Sequence, residues 1–281
     1  MMLSGKTKLA GVMGWPVSHS RSPRLHGYWL EHYGIDGAYV PLAVAPENLA
    51  AALAALPKLG FRGCNLTIPH KEAALAYIDR LDETARMVGA INTVVIDDAG
   101  RLTGSNTDIE GFAQNILSAA PALDTARPAL VIGAGGAARA VVAALKPLGF
   151  GGAFIVNRTP ERAEALVKDL APLALALEAR AWRQRDELVA EAGFIVNTTN
   201  LGMNGASPLM LDLAGATTGT LVTDIVYAPL ETPLLRTARA CGLICIDGLG
   251  MLLYQARAGF RAWFGVDPEV TPELRVHVLK G

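Results

Sequence analysis

Ser20 and Ser22 stand two residues apart in Ser18-His19-Ser20-Arg21-Ser22-Pro23, and Pro23 suits the first turn of a helix. Two hydroxyls at a helix start can hydrogen-bond a carboxylate, although serines there also serve as plain caps. In Asn65-Leu66-Thr67-Ile68-Pro69-His70-Lys71, Asn65, Thr67 and Lys71 fall on one side of an expected strand that leads into a helix. Amides and a carboxylate end two further segments, Gly89-Ala90-Ile91-Asn92-Thr93 and Gly104-Ser105-Asn106-Thr107-Asp108. Taken singly, each is ordinary loop chemistry.

A second constellation gives them weight. Gly133-Ala134-Gly135-Gly136-Ala137-Ala138 directly follows the aliphatic run Leu130–Ile132 and opens an expected helix. Gly133 permits a tight turn, Gly135 lets backbone amides approach a pyrophosphate, and small Ala138 permits close helix–strand packing. The helix start offers N–H groups and a positive dipole end to the phosphates. A glycine-rich turn alone is a weak signal; its place between strand and helix makes it a dinucleotide fingerprint. The next strand ends at Asn157-Arg158-Thr159, 24 residues after Gly133, with Arg162 one helical turn on. A carboxylate there would suit the ribose 2′-hydroxyl of NAD. An amide, two guanidiniums and a hydroxyl suit a 2′-phosphate instead. The expected cofactor is NADP.

These residues need a frame. A chain of 281 residues is about two domains at ~100–200 residues each. It is 51% hydrophobic and 18% charged, and it carries 25 basic against 26 acidic side chains. Disorder is therefore excluded, and nothing points to a nucleic-acid or anionic-membrane partner. The longest uncharged stretch, Ala192–Leu211, is interrupted by Asn197, Thr198, Thr199, Asn200, Asn204 and Pro208, so it does not read as a membrane span. The N-terminus shows no export-signal pattern. Of three cysteines only Cys241 and Cys245 are close, and they read as small core residues of a strand approach rather than ligands. The five histidines show no metal spacing. A reduced cytoplasmic enzyme without a metal is expected.

Strands are expected at Leu130–Ile132, Phe154–Val156, Phe194–Val196, Leu221–Val222 and Leu243–Ile246, because near-continuous aliphatic runs suit a parallel sheet covered on both faces. Crossover helices fit Ala137–Leu148 and Pro160–Leu170. In the first third, strands fit Leu9–Met13, Ala38–Val44, Cys64–Ile68 and Asn92–Ile96, and helices fit Pro23–Tyr33, Pro46–Leu56 and His70–Leu81. The fold class is thus α/β, with an α/β domain over 1–108 and a doubly wound Rossmann domain over 109–247. Helices within 248–281, at Gly248–Phe264 and Pro272–Leu279, are expected to return to the first domain.

The order of these motifs, together with Asn197-Thr198-Thr199 and Asp247-Gly248-Leu249-Gly250-Met251-Leu252, resembles the shikimate dehydrogenase family over essentially the whole chain. The resemblance implies NADPH-dependent reduction of 3-dehydroshikimate to shikimate, a step of chorismate and aromatic amino-acid biosynthesis. It implies a substrate domain first and an NADP-binding domain second. By the resemblance, Ser20, Ser22 and Tyr227 hold the substrate carboxylate, and Thr67, Asn92, Asp108 and Gln255 bind its ring hydroxyls, with Asn65 in the same motif. Lys71 is implied as the acid/base, in concert with Asp108. Gly133 to Ala137, Asn157, Arg158, Thr159, Arg162, Thr199, Ile225, Gly248 and Glu83 are implied on the cofactor side. His70 and Ile225 depart from residues common in the family, which leaves the pocket's fine selectivity open. The rival readings are a quinate/shikimate dehydrogenase of relaxed choice and a non-catalytic NADP(H)-binding regulatory module; the second would expect Lys71 or Asp108 to be missing. A small-molecule substrate is the expected partner, with the chain a monomer or homodimer.

Overall fold

Aliphatic runs pair into two sheets in the computed structural model, which describes residues 3–120 and 123–280. The chain divides into one unit of Met1–Thr107 with Leu252–Gly281 and another of Asp108–Met251. Asp108 and the first residues of the penultimate helix therefore belong to the second unit.

The first unit runs β1 (Lys8–Gly14), α1 (Ser22–His32), β2 (Gly37–Ala43), α2 (Leu49–Ala55), β3 (Phe61–Leu66), α3 (His70–Ala73), β4 (Arg80–Leu81), α4 (Glu83–Val88), β5 (Thr93–Ile96) and β6 (Leu102–Ser105). Its sheet has the order β2-β1-β3-β5-β6-β4. Strands β1, β2 and β3 pair in parallel, whereas β5 runs antiparallel to β3 and β6. Leu49, Leu53, Leu66, Ile91 and Val94 fill the core beside this sheet.

The helix expected over His70–Leu81 stops early. Only α3 and one tight turn at Ala74–Tyr77 form, and Ile78 is extended. Arg80 and Leu81 then pair with Thr103 and Gly104 of β6. Asp79 also accepts the Leu102 N–H at 2.7 Å. Pairing with a distant strand thus overrides the helical pattern of an alanine-rich segment.

The second unit runs α5 (Asp108–Ala119), β7 (Ala129–Ile132), α6 (Gly136–Leu145), β8 (Gly152–Asn157), α7 (Pro160–Asp169), β9 (Ala176–Ala181), α8 (Arg185–Leu188), β10 (Phe194–Asn197), β11 (Leu221–Asp224), α9 (Pro233–Ala240) and β12 (Ile244–Ile246). All six strands are parallel, in the order β12-β11-β10-β7-β8-β9. Numbered within this unit, that is the 3-2-1-4-5-6 order of a doubly wound dinucleotide-binding fold, with its switch point between β7 and β10. Strands β7 and β10 are buried along their length, as sheets covered on both faces require.

Helices α10 (Leu249–Phe264) and α11 (Pro272–Leu279) close the chain. Trp263 donates its indole N–H to the Val94 carbonyl at 3.0 Å, and α11 packs on α1. His26 stacks on Tyr39 at 3.9 Å and is fully buried. Burial pushes its imidazole down to about 3, so the ring is neutral. The C-terminal segment thus completes the first unit's core.

Candidate active site

In the first unit, chemistry gathers at the carboxyl end of β3 and the starts of α1 and α3. Ser22 is the first residue of α1 and is buried; its N–H meets the Ser20 hydroxyl at 3.3 Å. The Ser22 hydroxyl bonds the phenol of Tyr39, which in turn donates to Asn65 Oδ1 at 2.6 Å. Asn65 spends both amide hydrogens internally, on the Asn92 carbonyl and on Thr93 Oγ1, each at 3.0 Å. Only a second lone pair on Oδ1 is left for a ligand.

Asn92, also buried, accepts the Thr107 N–H at 2.9 Å and donates to Gln255 Oε1 at 3.3 Å. Gln255 Nε2 donates to the Leu252 carbonyl at 3.0 Å. Asn65, Asn92, Thr107 and Gln255 thus form one hydrogen-bonded cluster linking β3, β5, β6 and α10. Thr67 leaves the strand end, its N–H bound to the Met13 carbonyl at 2.9 Å. Lys71 is half-buried on α3, and its carbonyl accepts the Ile91 N–H at 2.8 Å. Neighbouring His70 is buried, with Nε2 2.8 Å from the Val44 carbonyl.

In the second unit, Gly133 takes φ +118°, and a Cβ there would collide with Thr198 Oγ1 and lie 3.0 Å from Thr199 Cγ2. Only glycine fits this turn at the switch point. Gly135 faces open space. Helix α6 begins at Gly136 with no side-chain cap bond, and Ala138 is fully buried against the sheet. A Cβ at Gly248 would collide with the Ile225 carbonyl. Arg158 and Arg162 are exposed at the end of β8 and the first turn of α7, beside half-buried Asn157 and exposed Thr159. Asn157 Nδ2 holds the turn by donating to the Thr159 carbonyl at 2.9 Å. Uncapped helix amides, free space before Gly135 and two exposed guanidiniums fit the diphosphate and 2′-phosphate of NADP(H).

Of the expected residues, Ala134, Gly136 and Ala137 lie on this glycine turn, Thr199 and Ile225 follow β10 and β11, and Tyr227 stands half-buried two residues beyond Ile225. Asp108 is buried at the first position of α5. Glu83, exposed at the start of α4, belongs to the first unit, whereas the other residues expected at the cofactor belong to the second. Sequence reasoning quoted Thr93 and Thr107 within their motifs without giving them a role, and it missed Tyr39 and Asp224. Asp224 is fully buried and accepts from Asn197 Nδ2, the Val226 N–H and Thr232 Oγ1 at 2.9, 3.0 and 2.7 Å. Burial pushes its carboxyl up to about 6, while these donors pull it down. Among the described residues, no group of three His, Cys, Asp or Glu side chains is placed to hold a metal ion, and no helix is long and apolar enough to cross a membrane.

Comparison with known proteins covers both units. A family model described as the shikimate dehydrogenase substrate binding domain matches residues 12–94. One described as shikimate / quinate 5-dehydrogenase matches 113–203, and one described as the shikimate 5′-dehydrogenase C-terminal domain matches 248–272. A protein of Rhodospirillum rubrum named shikimate dehydrogenase (NADP(+)) is 57% identical over 99% of each chain. A crystal structure of shikimate 5-dehydrogenase from Thermus thermophilus, in complex with NADP(H) and shikimate, is 38% identical with a TM-score of 0.84, over 98% of this chain and 99% of that one. A quinate dehydrogenase from Corynebacterium glutamicum in complex with NAD is 32% identical with a TM-score of 0.90, over 98% and 99%.

Proposed function

The chain belongs to the shikimate dehydrogenase family, and from that premise we propose how its residues carry out the family's reaction, the reversible NADPH-dependent reduction of 3-dehydroshikimate to shikimate. When bound, the nicotinamide supplies or takes up a hydride; orientation and the proton are left to the protein. As hydride reaches the ketone, charge builds on its oxygen, so a proton donor must stand within ~2.6–3.2 Å. Lys71 Nζ gives that proton in the reducing direction and, as a neutral amine, takes it from the hydroxyl in reverse. Asp108 assists Lys71 and binds a ring hydroxyl.

Ser20, Ser22 and Tyr227 hold the substrate carboxylate, and Thr67, Asn92 and Gln255 bind ring hydroxyls. Asn65 keeps Asn92 and Thr93 in place while offering its one remaining lone pair. The Gly133–Ala137 turn carries the diphosphate, with Thr199, Ile225 and Gly248 lining the same cradle; Glu83 is a further cofactor-binding residue. Asn157, Arg158, Thr159 and Arg162 receive the 2′-phosphate. The observation that carries this reading is the Gly133 turn at the switch point of a 3-2-1-4-5-6 sheet, followed by arginines where NAD would want a carboxylate. The enzyme works in the cytoplasm, as a monomer or homodimer, in chorismate and aromatic amino-acid biosynthesis.

Initial rates with shikimate and quinate, each paired with NADP and NAD, test the assignment. Shikimate with NADP should give the highest kcat/KM of the four pairs. A preference for quinate with NAD would replace this reading by that of a quinate dehydrogenase.

A further inference from the structure

Asp224 is a carboxylate with no part in the reaction as described, yet it is fully buried at the end of β11 and takes three hydrogen bonds. We propose that Asp224 is a positioning residue for the cofactor cradle, fixing Thr199 against Gly133 through Asn197 and fixing Ile225 against Gly248 through its own turn. The inference rests on the reading that Thr199 and Ile225 face NADP(H).

The first arm follows from the ambivalence of an amide. Asn197 can present either its oxygen or its nitrogen to a neighbour, whereas an ionised carboxylate only accepts. Asp224 Oδ1 at 2.9 Å and the Leu201 carbonyl at 3.0 Å both demand the nitrogen. Asn197 Oδ1 is thereby turned toward Thr199, accepting its N–H at 3.0 Å and its hydroxyl at 2.8 Å. A flipped amide would break all four bonds and set N–H against N–H. With its proton committed, the Thr199 hydroxyl accepts the Leu201 N–H at 3.0 Å. Its methyl is left beside Gly133, 3.0 Å from where a Cβ would stand. Asp224 thus helps to hold the width of the gap at the switch point without touching it.

The second arm is an Asx-type turn. Asp224 Oδ1 accepts the Val226 N–H at 3.0 Å, while the Ile225 N–H reaches back to the Asn197 carbonyl at 3.1 Å. Thr232, which caps α9, anchors Oδ2 at 2.7 Å. Ile225 is therefore held from both sides, and its carbonyl abuts Gly248 with no room for a methyl.

Calorimetric titration of NADP into wild type, Asp224→Ala, Asp224→Asn and Thr199→Val, with the KM for shikimate and the thermal midpoint of each, tests this. Asp224→Ala should raise the Kd for NADP roughly 10-fold by removing one of the four bonds that orient the Asn197 amide and the bond that holds the Val226 N–H, while the shikimate KM stays within about twofold. Asp224→Asn keeps an acceptor toward Asn197 and Val226 and should recover most of the loss. Thr199→Val, on a half-buried residue, should fold and raise the NADP Kd several-fold even if Asp224→Ala does not fold. Equal losses in the Ala and Asn variants, a parallel rise in shikimate KM, or a lower active fraction at unchanged NADP Kd would overturn the proposal. A Thr199→Val loss without any Asp224 effect would keep the cofactor reading and remove Asp224 from it. Wild type that fails to bind NADP would overturn both.

Discussion

Replacing Arg158 by Ala removes one guanidinium from the end of β8 and leaves the turn itself intact. The turn is held by Asn157 Nδ2 on the Thr159 carbonyl, and Arg158 is exposed, so little packing is lost. A charge-assisted hydrogen bond to phosphate is worth ~1.5–3 kcal/mol, or roughly 10–150-fold in affinity. Two features push the expectation to the low end. Solvent screens an exposed arginine, and Arg162, exposed on the first turn of α7, remains to share the phosphate. Arg158→Ala should therefore weaken NADP binding about 10-fold and NAD binding far less, since NAD has no 2′-phosphate. Added salt should erode NADP affinity more steeply than NAD affinity. The single variant is the cleaner test, because Asn157→Asp would also set a carboxylate against the Thr159 carbonyl and loosen the turn. Titrating both cofactors into wild type and variant decides the matter. Equal losses for NADP and NAD would make Arg158 a general structural residue and remove the phosphate site.

Gly248→Ala should cost about 1–3 kcal/mol of stability from the clash with the Ile225 carbonyl and weaken NADP binding; unchanged melting and binding would refute the close approach. Ser20→Ala with Ser22→Ala should raise the KM for shikimate at least about 100-fold, at ~1.5–3 kcal/mol for each of two hydrogen bonds to a carboxylate, with NADP affinity nearly unchanged. Equal losses for both ligands would point to a folding role. Burial raises the Asp224 carboxyl from the ordinary 3.8 to about 6, so its contribution to stability is fully present below 3.8 and is lost as pH rises through 6. Relative to Asp224→Asn, wild type should lose at most about 3 kcal/mol between pH 4 and 7 in denaturant titrations. A pH-independent difference would contradict the raised carboxyl.

Much of the second unit was legible because its central strands β7, β10 and β11 are buried along their length and open on apolar runs. Strand β9 was not. Its residues Ala176–Ala181 include no β-branched side chain, and none is fully buried, so only pairing with β8 reveals it. Short β4 likewise shows only through its pairing with β6, some way along the chain, and β6 itself carries a single large aliphatic residue, Leu102, although its antiparallel partner β5 was legible as Asn92–Ile96. Lys71, Asn92 and the glycine turn announced themselves by motif. Tyr39 and Asp224 did not, since a lone tyrosine in β2 and a lone aspartate after Leu221–Thr223 have no spacing that marks them. Their roles come from what folding brings to them: Ser22 and Asn65 in one case, Asn197 and Thr232 in the other.

The central claim is that Lys71 moves the proton in shikimate oxidation by NADP. Its most direct test is kcat for that reaction, followed by NADPH absorbance, in wild type and in Lys71→Ala. Wild type should turn over, and the variant should lose ~10²–10⁴-fold in kcat, the usual contribution of a positioned acid/base, with little change in the KM for shikimate. A variant that keeps more than about half of the wild-type kcat would contradict the account, as would wild type that fails to oxidise shikimate with NADP.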